Sequence, residues 1–279
     1  MRINVLGPIE VITNDGAIHL TGQRQRALLA ALTLDLGRAV PVERLVDFLW
    51  DTSPPPTARA KIQAHVSALR QVIGHDAGND GGPLLTRPPG YLLRRDGVQV
   101  DLTEFEALAA QAAGAAAAGR PADASRLLGS ALALWRGSAF ADVTSPPIRS
   151  TADKLAERRM LALEAKAEAD LMLGHCDDVV AGLSPWLSAH PFRERLRAML
   201  MVALYRLGCR ADALAVYRDG HQVMVTELGL EPGPQLRGLH QRILADDPVL
   251  WPGAARPSAW AGSRLSAAPP GRGTRSIRD

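Results

Sequence analysis

With 279 residues, 47% of them apolar and 22% charged, the chain has the composition of a soluble globular protein and the length for two domains. It contains no apolar run near the ~20 residues that span a bilayer, and its first twenty residues alternate instead of forming a solid apolar block, so neither a membrane partner nor a signal peptide is expected and a cytoplasmic location is. The net charge of +3 is spread unevenly, +2 over residues 1–100, −3 over 101–251 and +4 over 252–279, so any case for a nucleic-acid partner must be made locally.

The opening "MRINVLGPIEVITNDGAIHL" alternates in short apolar runs and holds an Asn14-Asp15-Gly16 turn signal, which predicts two or three short antiparallel strands. "QRQRALLAALTLDLG" then places Leu28, Ala31 and Leu32 on one helical face and stops at Gly37. "PVERLVDFLW" sets Val42, Leu45, Val46 and Leu49 at helical spacing, with Pro41 near the start. A third helix is predicted over residues 57–73, after three prolines. The Gly-rich "HDAGNDGGP" reads as a loop, and "LLTRPPGYLLRRDGVQV" as a strand, a Pro-Pro-Gly turn and another strand. Strands, three helices and a closing hairpin are the element order of a winged helix-turn-helix, so residues 1–100 read as one α+β module.

The third helix carries three cations and no acid. At about 100° per residue, Ala58, Ile62, Val66, Leu69 and Ile73 form a core-facing stripe. Arg59, Gln63, Ser67 and Arg70 line one shoulder, Lys61 and His65 the other, and Ala60, Ala64, Ala68 and Gln71 form the crest. Small crest residues suit a helix entering a major groove only about 12 Å wide. Arg59 and Lys61 lie where the helix dipole favours phosphate, and Gln63, Ser67 and His65 lie where side chains meet base edges. Arg87 sits at the wing tip, and Arg24 and Arg26 open the first helix within reach of a phosphate. The plainer reading is a solvated amphipathic helix whose cations only confer solubility. The neighbouring helix and the hairpin weigh against it.

From Leu102 alanine and leucine dominate and strand signals vanish. Leu173-Gly174 and Leu207-Gly208 lie 34 residues apart, the tetratricopeptide period, and "GRPADA" (119–124) matches "GCRADA" (208–213) at four of six positions. Helices are predicted over 104–118, 122–135, 152–173, 177–189, 194–207, 211–228 and 235–244, stacked in antiparallel pairs. The Pro-, Gly- and Arg-rich residues 252–279 are expected to be disordered. Trp135, Trp186, Tyr205 and Tyr217 read first as repeat core and second as lining of a concave surface. The charge runs "RERLR" (193–197) and "AERR" (156–159) read as solvated helix faces, and Cys176 and Cys209 as two buried, reduced thiols. There is no Walker A, no GxSxG and no HExxH, and "GNDGG" (78–82) lacks the Lys of a phosphate loop. An enzyme is not expected, nor a metal or cofactor.

"GQRQRALLAAL", "LVDFLWDTSPPPTARAKIQAHVSALRQVIG" and "LLTRPPGYLL" resemble the N-terminal part of the antibiotic regulatory proteins of actinomycetes, the SARP family. "LALWRG", "LEAKAEADLMLG", "HPFRERLRAMLMVALYRLGCRADALAVYRDG" and "ELGLEPGPQLRGLHQRIL" resemble that family's bacterial transcriptional activation domain. The resemblance runs from Val5 to about Leu250. It implies an OmpR-like winged helix that binds direct repeats in double-stranded DNA near promoters. It also implies an all-α, tetratricopeptide-like domain (101–251) that helps engage RNA polymerase holoenzyme at secondary-metabolite genes. By position, residues 57–73 would be the recognition helix and 84–94 the wing, with dimers or side-by-side protomers on nucleoid DNA. Two other readings stay open. One is a helical-repeat adaptor whose winged helix binds protein. The other is a regulator with an effector pocket in its repeat domain.

Overall fold

The computed structural model describes residues 1–14, 16–18, 20–74 and 82–251. The loop predicted at "HDAGNDGGP" and the disorder predicted for 252–279 fall mostly or wholly outside these. The chain opens with β1 (Arg2–Asn4), β2 (Glu10–Thr13) and β3 (Gly16–Ile18), an antiparallel meander paired Ile3↔Val11 and Ile12↔Ala17. Three helices follow: α1 (Gln23–Leu34), α2 (Val42–Trp50) and α3 (Ala58–Ile73). Between α1 and α2 lies a short strand the sequence does not advertise, β4 (Ala39–Pro41), which pairs with the closing hairpin β5 (Leu84–Arg87) and β6 (Gly90–Leu93) in the order β4-β6-β5. The last predicted strand divides in two. After β6 the chain turns, and β7 (Gln99–Val100) joins the first sheet parallel to β1.

The rest of the described chain is helical: α4 (Asp101–Ala117), α5 (Pro121–Ala133), α6 (Pro146–Leu173), α7 (Cys176–Ala189), α8 (Glu194–Arg206), α9 (Arg210–Leu228), α10 (Pro234–Leu244) and a 3-10 turn, Pro248–Leu250. Each of α4 to α9 packs against the next. Gly174 and Gly208, one repeat apart, both have φ +81°, the left-handed conformation that lets a helix stop and the chain reverse. The longest departure from the sequence expectation is α6. It starts six residues early, at Pro146, whose fixed φ suits a first helical position, and this start carries Ile148 fully into the core.

One apolar core runs through both halves. It joins Ile3, Val5 and Leu6 beside β1, Leu28 to Leu32 of α1, Ile62 and Leu69 of α3, and Phe105, Trp135, Phe140 and Ile148 of the helical half. Backbone bonds follow the same seam: Arg136 N–H donates to Leu6 O at 2.8 Å and Phe140 N–H to Val5 O at 2.9 Å. Two smaller clusters hold α6 to α8 and α8 to α10 together.

Several sequence expectations need correction. Cys176 is buried but Cys209 is exposed. The two charge runs are not merely solvated, because they meet each other. Arg193 pairs with Glu157 and, at 3.4 Å, with buried Glu164, while Arg195 reaches Glu168 at 2.9 Å. Arg197 is buried and donates to Val216 O and Pro191 O. Arg159 lies between two indoles, 4.9 Å from Trp135 and 4.7 Å from Trp186. Trp135 and Tyr205 are core, whereas Trp186 and Tyr217 are partly exposed.

Candidate nucleic-acid interface

α3 buries the residues its period dictates: Ala58, Ile62, Val66, Leu69 and Ile73. Packed on α1 and α2, it turns the opposite face outward. Arg59, Ala60, Lys61, Gln63, Ala64, Ser67 and Gln71 are exposed, and Ala68, His65 and Arg70 are half-buried. No acid stands in its first turn, and its N-cap residue, Thr57, makes no side-chain cap. The α2–α3 turn is closed by Ser53 N–H on Trp50 O at 3.1 Å and Ala58 N–H on Pro55 O at 2.9 Å.

The nine candidate residues divide by what they already hold. Lys61, Gln63 and Ser67 stand open on α3, and Arg87 on the last position of β5, opposite Gly90 at the wing tip. Arg59 is exposed but pairs with Glu43 of α2, a neighbour sixteen residues away that sequence reading missed. Arg24 is exposed at the start of α1, its guanidinium 5.5 Å from the Trp50 ring centroid. Together with His65 it lines a cleft of about 750 Å³ that also takes in Thr144, Ser145 and Pro146 of the helical half.

Two arginines are engaged within the fold. Arg26, expected to reach phosphate, is half-buried; Nη1 donates to Leu20 O at 2.7 Å and Nε lies 3.4 Å from Asp142. It binds the helical half to α1. Arg70, placed on the base-facing shoulder, turns back to the wing, with Nε donating to Leu84 O at 2.9 Å and Nη2 to Thr86 Oγ1 at 2.8 Å. Its guanidinium also sits 6.0 Å from the Tyr91 ring centroid. Arg70 therefore ties α3 to the hairpin.

Burial, and then the charges of Arg24 and Lys61, push His65 below its ordinary 6.5. At neutral pH it presents a neutral imidazole, a hydrogen-bonding group and not a cation. As pH falls below 6.5 the unfolded chain takes up this proton before the folded one does, so the stability tied to neutral His65 is present above 6.5 and lost through the lower folded value. His65→Gln is expected to flatten the acid limb of melting temperature against pH; an unchanged limb would show that the imidazole is not held neutral.

Among the described residues no group of His, Cys, Asp or Glu is placed to hold a metal ion, and no helix is long and apolar enough to cross a membrane.

Residues 15–93 match the family described as "Transcriptional regulatory protein, C terminal", and residues 100–244 match "Bacterial transcriptional activator domain". The chain is 39% identical to regulatory protein AfsR of Streptomyces griseus over 258 residues, covering 92% of this chain and 26% of AfsR, so it spans about a quarter of that relative's length. It is 36% identical to regulatory protein DnrI of Streptomyces peucetius, covering 89% of this chain and 93% of DnrI. The solved structure of Mycobacterium tuberculosis EmbR in complex with a low-affinity phosphopeptide superposes with a TM-score of 0.81 at 37% identity, covering 88% of this chain and 65% of that one. An OmpR-like winged helix followed by an all-α activator domain, matched along nearly the whole length of DnrI, places this chain in the SARP family of transcriptional regulators.

Proposed function

We propose that the chain is a sequence-specific DNA-binding activator of antibiotic and other secondary-metabolite genes. It binds direct repeats near promoters as side-by-side protomers and engages RNA polymerase holoenzyme through its helical half. One observation carries this reading. α3 exposes a face with a small alanine crest, an uncapped and acid-free first turn and open Lys61, Gln63 and Ser67, while Arg87 stands out on the adjoining wing. That face fits a major groove, with cations at the phosphates and amide and hydroxyl groups at base edges.

A gel shift with promoter DNA against scrambled competitor, followed by footprinting of the strongest site, tests it. Protection of two repeats, lost when the exposed face of α3 is scrambled in a folded protein, is the expected result. Equal competition by scrambled DNA, with a protein partner retained by residues 101–251, would give the adaptor reading instead.

Two substitutions separate positioning from reading. Replacing Arg59 and Lys61 together by Ala is expected to weaken binding to every sequence and to flatten the salt slope by about 1 to 2. An unchanged slope would remove the phosphate contacts. Gln63→Ala is expected to cost about 1–3 kcal/mol at one base position and little elsewhere, as for a bidentate base contact. A uniform loss over a set of single-base operator variants would contradict that role.

A further inference from the structure

Between α4, α5 and α6 runs an apolar groove of about 880 Å³, with Ala112, Ala124 and Ala165 along its walls and Phe105 toward one end. Leu161 and Met172 on its rim are 51% and 69% exposed, an unusual concentration of bare apolar surface beside an open cavity. The polar groups at its rim are Glu106, paired with Arg158, and Glu168, whose Oε2 lies 2.9 Å from Arg195. Both carboxylate side chains stay about half exposed, at 48% and 52%.

The described chain ends by the C-terminal end of α6, one of the helices that wall this groove. Arg206 Nε donates to Leu250 O at 2.9 Å, and Nη1 of the same guanidinium donates to Leu171 O at 2.6 Å, one residue from Met172. The exit of the chain and the end of α6 that bears the groove residue Met172 are thus joined by a single side chain. The remaining residues, 252–279, contain Trp260 and Leu265, and Arg256 and Arg264 stand four positions to either side of Trp260. Nine extended residues from Trp251 to Trp260 span about 30 Å, whereas the α6 wall from Arg158 to Met172 is about 21 Å long. Trp260 therefore reaches any point of the groove, and an indole flanked by arginines matches an apolar trough with carboxylates at its edge.

We propose that this groove is the docking site of the chain's own C-terminal segment, seated by Trp260 and Leu265 with Arg256 and Arg264 at the rim carboxylates. The inference does not depend on what α3 binds. The full chain tests it by hydroxyl-radical oxidation of Met172. In the native protein Met172 is expected to be shielded, and in the double variant Trp260→Ala, Leu265→Ala to oxidise about fivefold faster, as for release of a weakly held segment. A second variant leaves the segment intact and blocks the trough: Ala165→Glu, at an exposed α6 position, is expected to speed trypsin cleavage after Arg264 by a similar factor. Equal Met172 oxidation in native and double-variant chains, or equal cleavage in native and Ala165→Glu chains, overturns the proposal. Shielding that grows with protein concentration also overturns it, because the segment would then come from a second copy.

Discussion

Replacing Gly90 by alanine is expected to lower the melting temperature by roughly 6–12 °C, about 3 kcal/mol at the slope usual for a chain of this size. Gly90 opens β6 and pairs with Arg87 on one side and Pro41 on the other. A Cβ there would lie 1.9 Å from Val40 O and 2.8 Å from Val40 C. Those atoms are backbone inside the β4–β6 ladder, so no rotamer change relieves the clash and the sheet must part. The turn carrying Arg87 moves with it, and so do the Leu84 and Thr86 acceptors that hold Arg70. An unaltered melt would mean that β4 does not pair with the hairpin in solution.

Asp101→Ala is expected to cost about 3 kcal/mol, through two orphaned buried amides, and to loosen the joint between the halves. The carboxylate is buried at the first position of α4 and accepts from Val5 N–H at 2.8 and 2.9 Å and from Leu6 N–H at 2.9 Å, just beyond the end of β1. Arg136 approaches it at 3.9 Å and itself bonds the same segment. Asp101→Asn retains one acceptor and should lie between the two in a urea melt. Burial raises the Asp101 carboxyl above its ordinary 3.8, against the opposing pull of the Leu6, Val5 and Leu102 N–H groups and Arg136. The folded state thus takes up this proton first, so the stability it contributes is full below 3.8 and is lost as pH rises through the folded value. Asp101 is therefore not the group that drives acid unfolding. A melt of Asp101→Ala equal to the native one would show that Val5 and Leu6 find other acceptors.

The face of α3 was legible from sequence because helical periodicity is local: Ala58, Ile62, Val66, Leu69 and Ile73 follow one another at turns of a single helix, and burying them leaves Lys61, Gln63 and Ser67 outside. The repeat glycines were legible for the same reason, since stopping a helix is decided within a few residues. Arg26 and Arg70 could not be sorted from Lys61 in this way. Their partners, Asp142 for the first and Leu84 and Thr86 for the second, lie on elements whose approach no local pattern records. β4 escaped because three residues are too few to show alternation, and β7 because its partner, β1, lies at the far end of the module.

By itself, then, the sequence determined the order of elements, the side of each helix that faces inward and the kind of surface α3 displays, because backbone periodicity and side-chain apolarity are properties of neighbouring residues. Only the tertiary structure decided which cations are already paired, that Arg193 and Arg195 meet the acids of α6, and that one core unites the winged helix with the helices behind it. Charge pairing and core continuity depend on distances across the fold, and a side chain's freedom to meet a partner is whatever those distances leave over.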